Sequence, residues 1–429
     1  MTFSTALATL RTDMSTRTFQ VRLDGQGHLV LPPELVERFG LLEGAVVRLE
    51  ERGDAITLGR SSASLARVYV EPTTLCNLLC RTCIRNVWDE PPGMMSAETF
   101  ARIIEGVRSL SPLPTVFFGG FGEPFAHPDL LAMLAEAKSV GCAVELITNG
   151  TRLDEETRHE LVRIGLDRLW VSIDGATPES YADVRLWDAL PQVTQDLARL
   201  REERMVHGPG LPKLGIAFVA MKRNIADLPE VIHLGQRLGA DRYSVSNVLA
   251  HTPEMQEQVL YARSIDAEEV EPSAWAPEVS LPRMDVDELT VERLARMAAG
   301  RNGRSLPGRA GAARANSCPF VEKGSVSVRW DGAVSPCLPL LHTHRSYLDF
   351  RPRTSHAFAV GNINDVDLAD AWRDPAYVEL RERLLAFDFA PCTICNSCDM
   401  ADENLEDCFG SPTPACGGCL WAQGFIRCP

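Results

Sequence analysis

Thirteen cysteines divide this 429-residue chain into regions that a disulfide-free core alone would not require. Cys76, Cys80 and Cys83 form a C-x3-C-x2-C run, Cys318 and Cys337 follow far downstream, and Cys392, Cys395, Cys398, Cys408, Cys416, Cys419 and Cys428 crowd the last stretch. Cys142 stands alone in the apolar run SVGCAVELI, the setting of a buried core residue. No apolar run approaches the ~20 residues that span a bilayer, so no membrane association is expected. The first residues also lack the apolar centre and small-residue cleavage site of a secretory signal. A cytoplasmic location follows, where thiols stay reduced and short cysteine spacings mean metal ligation rather than disulfides. Two separate metal-binding regions are expected.

Length gives a prior of two or three domains, and 45% apolar with 24% charged residues is the composition of a folded globular chain. The net charge of -15 argues against a nucleic-acid partner held by its phosphates. Between residues 66 and 250, apolar runs alternate with amphipathic stretches. ARVYVEP, TVFFGG, AVELITN, RLWVSID, KLGIAFVAM and DRYSVSNV read as strands, with helical segments such as AETFARIIEGVRSL and PDLLAMLAEAKSVG between them. Repeated βα units predict an α/β fold, a partial (β/α)6 barrel. Residues 251–316 lack this rhythm and read as a linker or lid. Residues 317–429 form a cysteine-rich domain with one helical stretch over 367–387.

Residues 18–60 read as a small β-rich unit. Strands over 19–23 and 29–31 flank a turn, Pro32-Pro33 opens a helix over 34–39, Gly40 ends it, and strands around 46–50 and 55–58 follow. This order resembles the swapped-hairpin domain of AbrB-type transcription factors, which implies a homodimer through 18–60. In those factors basic residues bind DNA. Here Arg22, Arg38, Arg48, Arg52 and Arg60 are outnumbered by Asp24, Glu34, Glu37, Glu43, Glu50, Glu51 and Asp54, which favours dimerisation or partner docking over DNA.

The first cysteine run lies in the loop after the first barrel strand, at the end where barrel active sites form. Three thiolates suit a four-iron, four-sulfur (4Fe-4S) cluster and leave one iron open to a ligand. A zinc site would need a fourth ligand, and His127 is the only histidine between the run and residue 150. Three strand-end segments follow in order: GGFGEP with Gly119, Gly120, Gly122 and Glu123; TNG with Thr148 and Asn149; and SIDG with Ser172 and Asp174. Together with the cysteines they resemble the radical S-adenosylmethionine (SAM) superfamily. The resemblance implies a 4Fe-4S cluster on Cys76, Cys80 and Cys83, SAM contacts from these strand ends, and reductive cleavage of SAM to a 5'-deoxyadenosyl radical. A ferredoxin or flavodoxin would supply the electron. The family often has an aromatic residue before the third cysteine, and Thr82 stands there in this chain. Glu71, Arg85, Asp89 and Glu90 are further charged candidates near this site, each equally readable as solvated loop charge.

Cys318-x13-Gly332-x4-Cys337 matches the opening of the SPASM extension of radical SAM maturases, although its usual C-x2-C-x5-C-x3-C run is absent. The nine cysteines from Cys318 to Cys428 can supply up to eight ligands to one or two auxiliary 4Fe-4S clusters; zinc ribbons are the alternative for such C-x2-C pairs. EPTTLCNLLCRTCIRNVWDEPPGMM and DCFGSPTPACGGCLWAQGFIRCP further resemble the tungsten cofactor oxidoreductase radical SAM maturases. This resemblance implies a role in completing a tungsten-dependent aldehyde ferredoxin oxidoreductase-like enzyme or its pterin cofactor. Alternatives are a SPASM-type enzyme that modifies a ribosomal peptide and, in another class, a DNA-binding iron-sulfur redox regulator.

Overall fold

The computed structural model describes residues 64–207, 210–261, 316–393 and 398–429, with shorter stretches at 21–23, 25, 28–33, 36, 47–52, 55–60, 269–270, 278–280, 282–285 and 287–290. The chain forms two compact units, Met1–Val46 and Val47–Pro429. In the first, β1 (Arg22–Leu23) pairs antiparallel with β2 (Leu29–Val30). The Val36 amide donates to the Pro32 carbonyl at 3.1 Å, where the helix over 34–39 is expected; residues 34, 35 and 37–39 lie outside the described residues. The second unit begins with the hairpin of β3 (Val47–Arg52) and β4 (Ala55–Arg60), so the two units divide the 18–60 segment between them.

Six strands then run in sequence order and all parallel: β5 (Arg67–Val70), β6 (Thr115–Phe118), β7 (Val144–Thr148), β8 (Arg168–Ser172), β9 (Lys213–Ala220) and β10 (Ala240–Asn247). The helices that return the chain between them are α1 (Ala97–Arg108), α2 (Leu130–Ser139), α3 (Glu155–Ile164), α4 (Pro178–Arg185), α5 (Leu190–His207) and α6 (Leu228–Leu238). This is the expected partial (β/α)6 barrel. Alternate strand residues point to opposite faces. Val68, Val70, Val116, Phe118, Leu146, Leu169 and Val171 join the helix-side core, whereas Tyr69, Phe117 and Trp170 pack on the other face with Phe320, Leu338, Leu340 and Leu341. The C-terminal region thus fills the face of the sheet that the helices leave open.

It also extends the sheet. After α7 (Pro253–Gln256), β11 (Glu269–Val270) pairs antiparallel with β12 (Glu278–Ser280), and β12 runs parallel to β10. The reading of 251–316 as linker or lid is corrected to that extent: residues 278–280 add to the sheet, because the edge of β10 presents backbone groups that need partners. Such a short strand leaves no periodicity to read. Residues 291–315 lie outside the described residues. On the opposite edge, α8 (Pro319–Glu322) leads to β13 (Ser325–Val328), which runs parallel to β5. β14 (Ala333–Ser335) follows antiparallel, then the hairpin of β15 (His344–Leu348) and β16 (Arg351–Ser355), and β17 (Gly361–Asn362) pairs with β14.

The single helix expected over 367–387 is two, α9 (Leu368–Arg373) and α10 (Pro375–Ala386). Pro375 lacks an amide proton and disfavours helical backbone at Asp374, whose ψ is 128°. The Asp374 carboxylate instead caps α10, accepting the amides of Ala376 and Tyr377 at 3.0 and 3.1 Å. Asp374→Ala is expected to cost about 0.5–2 kcal/mol of stability, read from the midpoint of urea unfolding.

Candidate active site and cluster-binding cysteines

Cys76, Cys80 and Cys83 lie in the loop that leaves β5, with Cys80 buried and the other two half-buried. The Cys83 amide donates to the Cys80 carbonyl at 3.1 Å and the Asn86 amide to the Cys83 carbonyl at 3.1 Å. Successive three-residue turns bring side chains at this spacing to the same side, which is what a C-x2-C pair needs. Burial raises the thiol pKa of Cys76 and Cys83, against the pull of Arg85; the nearness of Cys80 adds to the rise in both, and that of Cys76 to the rise in Cys83. Arg85 is not a solvated loop charge: it donates to the carbonyls of Thr74 and Leu78 at 2.8 and 3.4 Å, bracing the loop from inside. Asp89 is exposed.

The three strand-end segments surround this loop. In GGFGEP, Gly122 is required because a Cβ there would come within 2.1 Å of the Thr73 carbonyl oxygen, and the Glu123 amide donates to the Leu75 carbonyl at 2.8 Å. The buried Glu123 carboxylate accepts the Thr148 hydroxyl and the Asn149 amide, each at 2.7 Å, and locks the ends of β6 and β7 together. Burial still raises its pKa. The Asn149 side-chain amide donates to Asn77 at 2.9 Å and stands 4.0 Å from the Cys76 sulfur. Ser172 is half-buried at the end of β8. Asp174 accepts the Val219 amide at 2.7 Å and pairs with Arg185 of α4 at 2.6 Å. Arg185 also reaches the Cys80 sulfur at 3.8 Å. Burial alone would lower the Arg185 pKa; Asp174 and Cys80 together hold it above the ordinary guanidinium value.

This donor set fits an iron-sulfur cluster better than zinc. His127, the candidate fourth zinc ligand, has both ring nitrogens engaged, Nε2 with the Met95 carbonyl at 2.9 Å and Nδ1 with the Asp129 amide at 3.1 Å. Among the described residues no three His, Cys, Asp or Glu side chains converge as they would on one ion. A cubane takes each thiolate at a different iron and does not require such convergence.

Comparison with known proteins agrees. Residues 70–246 match the radical SAM superfamily, and residues 318–399 match SPASM, an iron-sulfur cluster-binding domain. The chain is 31% identical over 371 residues to the tungsten-containing aldehyde ferredoxin oxidoreductase cofactor-modifying protein of Pyrococcus furiosus, covering 84% of this chain and 96% of that protein. The chain belongs to the radical SAM superfamily. It is a radical SAM enzyme with a SPASM domain, and its cofactors are SAM, the SAM-binding 4Fe-4S cluster and auxiliary iron-sulfur clusters. A PqqA peptide cyclase of Streptomyces rochei is 30% identical over 183 residues, 42% of this chain and 48% of the cyclase. The structure of anSMEcpe with bound AdoMet superposes with a TM-score of 0.51 at 15% identity, over 79% of this chain and 84% of that one, a likeness of fold.

In the SPASM region no disulfide joins the described cysteines. Cys318, Cys337, Cys392, Cys416 and Cys419 line one cavity. Burial pushes the Cys318 thiol up to about 12, and the Cys337 thiol also rises, through burial and the nearness of Cys318, Cys419 and Cys416. Cys416-Gly417-Gly418-Cys419 turns tightly, with the Cys419 amide on the Cys416 carbonyl at 3.0 Å. A Cβ at Gly417 would come within 1.7 Å of the Ala390 carbonyl oxygen, so the turn lies against the segment that carries Cys392. Arg353 and Arg351 of β16 donate to the carbonyls of Cys392 and Cys398 at 2.7 and 2.6 Å. Cys408 is exposed and Cys395 lies outside the described residues. Cys428 lies near Trp421, Lys323, Cys419 and Arg67, and Cys142 is the buried core residue expected.

Arg185 and His342 escaped sequence reasoning: one belongs to a helix with no local signature, the other to the apolar run CLPLLH, which reads as core. Arg185→Met leaves the fully buried Asp174 carboxylate without its cation. It is expected to cost about 3–5 kcal/mol in denaturant unfolding of the apo-protein.

Proposed function

We propose that this radical SAM enzyme acts in the maturation of a tungsten-dependent aldehyde ferredoxin oxidoreductase-like enzyme, on its pterin cofactor or on the polypeptide that holds it. The observation that carries this reading is the likeness to the Pyrococcus furiosus cofactor-modifying protein, which covers 84% of this chain and 96% of that protein. Cys76, Cys80 and Cys83 would hold a 4Fe-4S cluster, which would supply the electron for reductive cleavage of SAM. The loops at 119–124, 148–150 and 172–175 border the SAM pocket. Gly119, Gly120, Gly122, Asn149 and Ser172 present backbone and side chain to it. Glu123, Thr148 and Asp174 hold the pocket's wall, which accords with their bonds to one another and to Arg185. A ferredoxin or flavodoxin would reduce that cluster in the cytoplasm, and residues 18–60 form a homodimer or partner contact rather than a DNA site.

Peptide modification is the second reading, favoured by the PqqA peptide cyclase likeness, which covers only 42% of this chain. Anaerobic reconstitution with iron and sulfide, followed by dithionite and SAM, is expected to yield 5'-deoxyadenosine from the wild type and none from the Cys76→Ala, Cys80→Ala, Cys83→Ala variant. Stimulation by an immature tungsten oxidoreductase or its pterin supports the first reading. Stimulation by a small Cys- or Gly-rich peptide alone overturns it in favour of the second.

The auxiliary ligands divide into two sets. Cys318, Cys337, Cys416 and Cys419 hold one cluster, a grouping supported by the nearness of Cys337 to the other three and of Cys416 to Cys419 and Cys318. Cys392, Cys395, Cys398 and Cys408 hold the other, and Cys428 is left over. Cys416→Ala with Cys419→Ala is expected to lose about one third of the bound iron and sulfide, a loss of roughly four irons per chain. Cys428→Ala is expected to retain its iron; the reverse pattern overturns this division.

A further inference from the structure

His342 is 1% exposed and lies between two carboxylates. Its Nε2 is 2.8 Å from Glu71 and its Nδ1 is 2.6 Å from Glu90. A neutral imidazole carries one N–H and can donate to only one of them; the doubly bonded ring is the imidazolium. Each carboxylate has a second task. Glu71 follows β5 directly, and its other oxygen accepts the Phe121 amide at 3.1 Å, inside GGFGEP. Its methylenes fill the space beside Gly120, where a Cβ would come within 2.6 Å of the Glu71 Cγ. Glu90 lies on the segment that leaves the cysteine loop, and its other oxygen accepts the Thr343 amide at 3.0 Å. Trp88 and Phe121 flank the ring with centroids at 4.3 and 5.7 Å, a setting that favours a cation.

We propose that His342 is a positioning residue: its imidazolium ties the SPASM domain to Glu71 and Glu90, and through Glu71 sets the loop at 119–124 for SAM binding. This rests on the reading of that loop as part of the SAM pocket. The other charged groups facing the cluster are few. Arg329 stands 3.6 Å from Glu90 and is itself paired with Asp331. His344 meets the His342 carbonyl through Nδ1 at 3.0 Å, and burial lowers its pKa. Burial would lower the His342 pKa too, but the bonds and charges of Glu71 and Glu90 outweigh it and raise the value. The coupling is therefore complete below the ordinary histidine pKa. It is lost as pH rises through the higher value in the folded protein.

The test is SAM binding to the reconstituted holoenzyme by equilibrium dialysis between pH 6 and 9, with iron content measured on each sample. Wild-type affinity is expected to weaken as pH rises. His342→Gln is expected to weaken binding about tenfold at the acid end and to lose the pH dependence, with iron retained. Wild-type affinity and pH dependence preserved in His342→Gln would overturn the proposal. Should that variant lose its iron, Glu90→Gln decides. Removing this negative charge lowers the His342 pKa, so a midpoint shifted to lower pH supports the proposal and an unmoved midpoint overturns it. No SAM binding by the iron-loaded wild type at any pH defeats the SAM-pocket reading itself, an outcome distinct from failure of the His342 role.

Discussion

Arg185 and Asp174 form an ion pair with almost no water around it, and the same guanidinium reaches the sulfur of Cys80. Taking two charges out of water is repaid only when the geometry is good and the remaining polar atoms find partners. Here Asp174 is held by the Val219 amide at the end of β9, while Arg185 is delivered by α4, the helix that follows β8. The pair therefore reports on the packing of three βα units. It also places a fixed positive charge beside the Cys80 sulfur, where a cation would offset the charge of a thiolate that burial makes costly.

The same loop is gripped elsewhere by hydrogen bonds. Glu123 spends its carboxylate on Thr148 and Asn149 rather than leaving it exposed, and the absent side chain of Gly122 lets the second strand-end loop touch the backbone of the first. Asn149 then reaches back to Asn77 beside Cys76. These contacts are short and directional, and they join segments that lie dozens of residues apart. Rigidity at the strand ends suits chemistry in which the cofactor reacts and the protein holds, orients and excludes water.

The C-terminal region belongs to this arrangement rather than hanging from it. Its strand β13 continues the barrel sheet beside β5, and its apolar residues cover Tyr69, Phe117 and Trp170. The last residues are sewn back onto the barrel: the Phe425 carbonyl accepts from Asn247, and the Arg427 amide donates to Ser246. Cys416 and Cys419 can therefore face Cys318 and Cys337 although about eighty residues separate the pairs along the chain. Glu71, His342 and Glu90 meet at the same seam, which makes it polar and specific where it could have been merely apolar.

Local pattern was enough to place the six barrel strands and the cysteine loop, because strand alternation, helical periodicity and ligand spacing are short-range properties. It misjudged 367–387, where one proline outweighed a continuous helical rhythm, and it left 278–280 unread, because a strand that short has no period. The residue types at the strand ends could be read, but not what they do. Glu123 and Asp174 are acidic in any reading, yet only the folded chain gives them Asn149 and Arg185 as partners. Glu71 reads in sequence as a site candidate or a solvated loop charge alike, and His342 carries no local signal. The sequence by itself determined the barrel, the position of the three-cysteine loop and the family, since these follow from spacing along the backbone. Which cysteines face one another, and which buried charges neutralise one another, was decided only by tertiary structure, because those contacts depend on distances between segments that no local pattern encodes.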